Sequence, residues 1–477
     1  MRGYRLAAAT TVFFMLVTAC SGGGPGDVAS DDTTTTTFGA DETTTTGGHS
    51  DASTEWDEVM FDAIDDVQAY WQETFPQVYG GDWQEISGGF WPYTSGSEQP
   101  PCGNPPPSYN DIAENAFYCP SADLVAWDSE SLIPAMFEQF GAFSLGLVTA
   151  HELGHAVQAR AGVTGPTILT EQQADCFAGS WTAWAAENSE NFDISLGDLD
   201  KAVAGFLQLA DAPGSVSSDP SAHGSAFDRV GAYEDGFFNG AEQCATYETN
   251  PPPTFQLPFA DQQDIDQGGN LPFGEVEPAV VGDLETWWGI AFPAYFGAEW
   301  VPVTDAIPYD PTDGPACGGE TFEPEQYENT AFYCLADDYV AWDESNLMPA
   351  LYENIGDFAQ GEVIANQYSL AVQVRLGNTE NSLESNLQAD CFTGTWTQSL
   401  VPGFRSSLGL EEGLNISAGD LDEAVTAFLA FGDSAEDIDA GTGVNGTAFQ
   451  RIAAFRDGFL NGVPTCQTYL SGGAPEG

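Results

Sequence analysis

Apolar residues recur at helical intervals along most of the chain and alternate only in short stretches. Residues 56–74 carry paired aromatic and aliphatic side chains at helical spacing, which predicts an amphipathic helix. Residues 130–160 hold one or two helices, within which Leu147, Ala150, Leu153 and Val157 form an apolar stripe. Further helices are predicted over 171–187, from Asp198 onward through L-D-K-A-V-A-G-F-L, and over 225–240. The stretches 114–119 and 123–128 alternate instead and flank Pro120-Ser121-Ala122, which reads as a hairpin. Helices grouped against so small a sheet predict an α+β fold, mostly helical.

This pattern occurs twice. The blocks N-A-F-Y-C-P ending at Pro120, L-V-A-W-D (124–128) and Q-A-D-C-F-A-G-S-W (173–181) return as T-A-F-Y-C-L ending at Leu335, Y-V-A-W-D (339–343) and Q-A-D-C-F-T-G-T-W (388–396), all displaced by the 215 residues that separate Cys102 from Cys317. After a short insertion, H-G-S-A-F-D-R (223–229) returns as N-G-T-A-F-Q-R (445–451), displaced by 222. So long a period means a domain duplicated in tandem, not a solenoid. We assign the first copy to 54–245, a Pro-rich acidic connector to 246–280 and the second copy to 281–470. Residues 21–53, rich in Gly, Thr, Ser and acidic residues, bury too little apolar surface to fold and are expected to be a tether. Residues 1–20 read as an export signal: Arg2 and Arg5 precede a short apolar run that ends in Val17-Thr18-Ala19-Cys20. That ending resembles a bacterial lipoprotein cleavage box, implying a lipid on Cys20 and a protein held at the outer face of the cell envelope.

Charge narrows the partners. Nine Lys plus Arg stand against 73 Asp plus Glu, for a net charge of −64. No basic patch exists to displace counterions, so nucleic acid and anionic lipid are excluded as partners, and membrane contact is left to the Cys20 lipid alone. Besides Cys20, eight cysteines fall at matching places, four per copy, which leaves three pairings within each. We favour Cys102–Cys119 and Cys176–Cys244, repeated as Cys317–Cys334 and Cys391–Cys466, since an oxidising compartment favours disulfides over thiolate ligands.

The chemistry concentrates in V-T-A-H-E-L-G-H-A-V-Q-A-R (148–160). His151 and His155 are four apart, so a helix projects both imidazoles from one face towards a single divalent metal. Glu152 is placed to reach a water on that metal without being a ligand. Gly154 weakens the helix by about 1 kcal/mol and implies a close neighbour. A third protein ligand is required. Glu171, in E-Q-Q-A-D, begins the next predicted helix and is the best candidate, with a solvated first-turn carboxylate as the alternative. The repeat decides between them: His151, Glu152, His155, Glu171 and His223 become Asn366, Gln367, Leu370, Asn386 and Asn445, while Asp175, Cys176, Arg160 and Arg229 keep their identities as Asp390, Cys391, Arg375 and Arg451. Chemical positions change together and scaffold positions stay. Asp175 therefore has a role beyond a metal: holding a ligand imidazole, capping a helix and pairing with Arg160 are all open.

H-E-L-G-H-A-V-Q, E-Q-Q-A-D-C-F-A-G-S-W and H-G-S-A-F-D-R, preceded by A-F-Y-C-P, resemble the neutral zinc metallopeptidase family of bacteria, in which these blocks occur in this order. The resemblance implies a zincin-like domain with one Zn2+ in the first copy, held by His151, His155 and Glu171. It implies Glu152 as catalytic base and matches His223 to a family histidine, for which we infer a transition-state role. The expected reaction is hydrolysis of peptide bonds in a peptide or protein substrate, with an inactive second copy that docks on or caps the first. The rival expectation is a binding or scaffold lipoprotein whose metal, if any, is structural or vestigial.

Overall fold

A computed structural model describes residues 54–215, 222–434 and 443–474, positions 437 and 440, and the backbone of residues 2–5. The expected tether and most of the expected export signal lie outside the described residues. Strand β1 (Arg2–Arg5) is the exception.

The first copy opens with α1 (Glu55–Val78), started by a Thr54 cap, followed by β2 (Phe90–Tyr93), the single turn α2 (Tyr109–Ile112), β3 (Ala116–Cys119) and β4 (Leu124–Asp128). Then come α3 (Leu132–Phe140), α4 (Ala142–Ala161), α5 (Thr167–Asn188), α6 (Leu196–Gln208) and α7 (Ala226–Ala245). The predicted hairpin is β3–β4, with Tyr118 opposite Val125. The pattern did not reveal β2, a four-residue strand containing Pro92 that pairs parallel to β4 and completes a sheet in the order β2-β4-β3. Strand β3 is thereby left at the edge.

Buried side chains of α4 and α5 face a core of large aromatics, among them Trp71, Trp127 and Trp181, none measurably exposed. Asp57 of α1 is buried in this core and accepts hydrogen bonds from Trp127 Nε1 (2.9 Å) and Ser129 Oγ (2.5 Å), tying the first helix to the sheet.

A short helix α8 (Gln262–Gln267) lies in the connector. Helix α9 (Phe273–Phe296) then repeats α1, so the second copy begins earlier than the boundary drawn at 281. It continues through β5 (Asp305–Tyr309), α10 (Pro324–Tyr327), β6 (Thr330–Cys334), β7 (Tyr339–Asp343), α11 (Leu347–Asn354), α12 (Asp357–Arg375), α13 (Leu383–Ser399), α14 (Phe404–Ser407), α15 (Asp420–Phe431), α16 (Ala448–Asn461) and α17 (Val463–Cys466). Its sheet repeats the first and gains a fourth strand: β1 pairs antiparallel with β6, in the order β1-β6-β7-β5. The disulfides are Cys102–Cys119, Cys176–Cys244, Cys317–Cys334 and Cys391–Cys466, the pairing favoured from the sequence. Among the described residues no helix is long and apolar enough to cross a membrane.

The copies meet through α6 and α7 on one side and α15 and α16 on the other, with reciprocal contacts. Asp422 accepts the Phe227 amide at 2.9 Å, and Asp200, its equivalent, accepts the Phe449 amide at 2.8 Å. Phe227 packs on Phe459 with ring centroids 5.1 Å apart; Phe449 packs on Phe237, the equivalent pair, at 5.2 Å. Such reciprocity is the signature of a two-fold, isologous contact.

Candidate metal centre

Helix α4 ends at Gly162 in the left-handed conformation, and its amide bonds back to the Gln158 carbonyl. The short link to α5 sends the second helix across the first. They pack tightly at Gly154, where an added Cβ would lie 3.0 Å from Ala174 Cα. This is the neighbour that Gly154 implied. Because the helices cross there, Glu171, one turn before Ala174, comes to rest beside the two histidines.

His151 Nε2 lies 3.2 Å from Glu171 Oε2, and His155 Nε2 lies 3.4 Å from Glu171 Oε1. Donor atoms of the three residues all fall within 4.8 Å of one another. Glu171 Oε2 is buried and has no aligned hydrogen bond, facing His151 only across that 3.2 Å ion-pair contact. Each imidazole is fixed from behind. His151 Nδ1 donates to Asp175 Oδ1 at 2.8 Å, and His155 Nδ1 meets Gln158 Oε1 at 3.0 Å. Gln158 uses its Nε2 to donate to the Thr170 carbonyl, which leaves its Oε1 as the acceptor for His155. Both Nε2 atoms therefore face Glu171, where release of their protons would turn two lone pairs towards a shared metal. Two inward imidazole nitrogens and a carboxylate are the donor set of a hydrolytic zinc site with one position left for water.

The electrostatics agree with a site built for a cation. Burial opposes ionisation of Glu171, but the flanking imidazoles win and hold its carboxyl well below the usual range. Burial likewise disfavours a charged His151, yet Asp175 and Glu171 lift that ring to about 10. Asp175 is fully buried and is kept ionised against burial by Arg229 and His151, accepting from Arg229 Nε at 2.8 Å and Nη2 at 2.9 Å. Arg160 is not its partner. That guanidinium instead pairs with Asp123 at 3.0 Å and stacks over Trp83.

Glu152 stands beside this set, largely buried, with its pKa raised first of all by burial. Its Oε2 accepts the Tyr118 amide of edge strand β3 at 2.8 Å. His223 is not brought into the cluster. Its ring is exposed, with Nδ1 3.7 Å from Asp211 Oδ1, and the loop is held by the His223 and Gly224 amides on Asp211 Oδ2. That loop does approach α5, because a Cβ on Gly224 would lie 2.9 Å from Ile168. The sequence reading missed Gln158 and the Tyr118 amide. The one signal for Gln158 was its persistence as Gln373 in the repeat.

A sequence profile described as "Putative neutral zinc metallopeptidase" matches residues 7–247 and again 273–469. A 157-residue stretch is 32% identical to "Uncharacterized protein YpfJ" of Escherichia coli (strain K12), covering 28% of this chain and 53% of that protein. A 160-residue stretch is 29% identical to "Uncharacterized protein Rv2575" of Mycobacterium tuberculosis (strain ATCC 25618 / H37Rv), covering 28% of this chain and 54% of that one. The chain thus spans about half the length of the curated relatives it matches. No solved structure matches it.

Proposed function

The chain belongs to the neutral zinc metallopeptidase family through both of its copies, and from that premise we propose that the first copy hydrolyses peptide bonds in an exported, envelope-anchored protein. The observation that carries this reading is the convergence of His151, His155 and Glu171, with Glu152 beside them and outside the ligand set. Those three residues would hold one zinc ion. When bound, zinc supplies Lewis acidity, polarising the scissile carbonyl and bringing water's pKa towards about 7.

Glu152 takes the proton of the attacking water and passes it to the leaving amine. A carboxyl raised by burial suits that task, and the Tyr118 amide fixes its orientation. An extended substrate is proposed to pair along the edge of β3, next to Glu152. The equivalent edge in the second copy, β6, accepts an antiparallel strand, β1, from the proposed leader itself, and removal of that leader would leave this edge open as well. His223 stands outside the cluster, and we propose that its loop swings towards α5 on substrate binding so that the ring donates to the carbonyl oxygen as negative charge develops there. The four disulfides favour an oxidising compartment, in keeping with a leader at 1–20 and a lipid on Cys20.

The second copy is proposed to be a docked, non-catalytic partner, since Asn366, Leu370 and Asn386 offer no zinc-binding set. Elemental analysis of the purified chain, paired with cleavage of a denatured protein, tests the reading. Glu152→Gln should keep its zinc and lose about 10²-fold or more in kcat. Full activity in that variant, or wild type without stoichiometric zinc, would overturn the assignment.

A further inference from the structure

A second group of buried acids lies in the other copy, away from the histidines. Asp357 opens α12, and Asp420 and Glu423 lie in the first turn of α15. One oxygen from each lies within 4.8 Å of the others. Backbone amides account for one oxygen of each acid. Asp357 Oδ2 accepts the Leu271 amide (2.8 Å), Asp420 Oδ2 the Ser417 amide (2.8 Å) and Glu423 Oε2 the Phe358 amide (2.9 Å). Two of the remaining three are unexplained: Asp357 Oδ1 and Asp420 Oδ1 are buried without a hydrogen-bond partner, in residues each 5% exposed. Buried carboxylate oxygens without partners are costly unless a cation meets them.

The first copy shows what stands there when the acids do not. Ala142 replaces Asp357, Asp198 replaces Asp420, and Lys201, the only lysine in the chain, replaces Glu423. Asp198 caps its helix through Oδ2 as Asp420 does, accepting the Ser195 amide at 3.0 Å. Its Oδ1 then takes Lys201 Nζ at 2.8 Å. The same oxygen therefore meets an ammonium in one copy and two further carboxylates in the other. The backbone has adjusted as well. Gly356, at φ +152°, leaves the space in which a Cβ would come within 2.0 Å of the Glu423 carboxyl, whereas the equivalent Gly141 has nothing within 4 Å. No described ion pair involves the three acids, and Asp264 of α8 adds to the repulsion on Asp357 and Asp420.

We propose that Asp357, Asp420 and Glu423 form a calcium site. An all-carboxylate set is a hard, oxygen-only environment, foreign to the nitrogen and sulfur preference of zinc, and its irregular spacing suits calcium better than octahedral magnesium. The ion would pin the connector to the second copy, because Asn270 Oδ1 accepts the Asp357 amide (2.7 Å) and Asp264 Oδ2 accepts from Ser417 Oγ (2.7 Å).

The test is calorimetric titration of the full chain, freed of calcium, with CaCl2 in excess NaCl so that general screening of the acidic surface is already saturated. The expected result is one saturable site filled by about 1 mM calcium, the weak end of known calcium modules, together with a rise in Tm that magnesium does not reproduce. Glu423→Lys, which copies the first domain, should abolish both responses and melt no lower than calcium-free wild type. No saturable binding, binding unchanged in Glu423→Lys, or an equal response to magnesium would each overturn the proposal. Peptidase activity is not read, so the outcome is independent of the zinc assignment.

Discussion

The crossing of α4 with α5 and the crossing of α12 with α13 share one framework and differ in what that framework presents. In both, a buried aspartate is gripped by an arginine from a later helix: Asp175 by Arg229 at 2.8 Å, and Asp390 by Arg451 at 2.9 Å. In both, that aspartate also accepts one hydrogen bond at 2.8 Å from the residue one helix away, His151 Nδ1 in the first copy and Asn366 Nδ2 in the second. The asparagine keeps the donor and discards the metal-facing nitrogen. His155 becomes the buried Leu370, and Glu171 becomes Asn386, which donates to the Val444 carbonyl. The Asp–Arg pair thus belongs to the helix crossing, and the metal chemistry is an addition to it.

This contrast can be broken from either side. His155→Leu places the second copy's residue in the first and should remove both zinc and peptidase activity while far-ultraviolet circular dichroism stays unchanged. The reverse experiment is Asn366→His, Gln367→Glu, Leu370→His and Asn386→Glu together, expected to raise zinc from one to two per chain by elemental analysis. It should need Ser369→Gly as well. Ser369 stands where Gly154 lets the helices touch, and its hydroxyl lies 3.1 Å from Thr393 Oγ1.

Asp175→Asn and Asp390→Asn sharpen the comparison. Each leaves a buried arginine short of its partner and should cost about 3–5 kcal/mol in denaturant unfolding. Only Asp175→Asn should also weaken zinc, by about 10–100-fold, through loss of the hold on His151. A smaller effect is expected at Glu362, which replaces Leu147 and is fully buried with neither oxygen hydrogen-bonded. Burial raises its pKa from 4.5 to about 8. Between those values the folded state keeps a proton that the unfolded chain has lost, so stability falls as pH rises through this window and levels off above it. Glu362→Leu should remove that slope and stabilise the protein by a few kcal/mol at about pH 9, against little at about pH 4. Smallest are the reciprocal caps: Asp200→Ala and Asp422→Ala should each cost about 1 kcal/mol, and by the symmetry of their contacts nearly the same amount.

Much of this was legible in the chain because helical period and motif spacing are local properties. The hairpin, the helices around His151 and the disulfide pairing follow from residues that speak for themselves or twice over. Glu171 became legible only through its loss at Asn386. What stayed hidden depends on how distant segments meet. Parallel pairing of Phe90–Tyr93 with β4 leaves no mark in so short a strand. Arg229 as the partner of Asp175 required knowing that α7 packs on α5; from the sequence Arg160 was the arginine named for that role. The second copy's true start at Phe273 was masked by Pro272 and Pro278, which read as connector although α9 accommodates Pro278 inside its first turns.

At the centre of the contact between the copies, equivalent positions face each other, and they have taken opposite signs. Arg456 Nε lies 3.1 Å from Glu234 Oε2, and the guanidinium sits 4.4 Å over the Phe227 ring in space that Gly231 leaves open. Two first halves brought together the same way would set Glu234 against Glu234, and two second halves would set Arg456 against Arg456. The fused arrangement has thereby become a lock with unlike halves: each half is spoiled for pairing with its own kind, and separated halves mixed in solution should find the other sort.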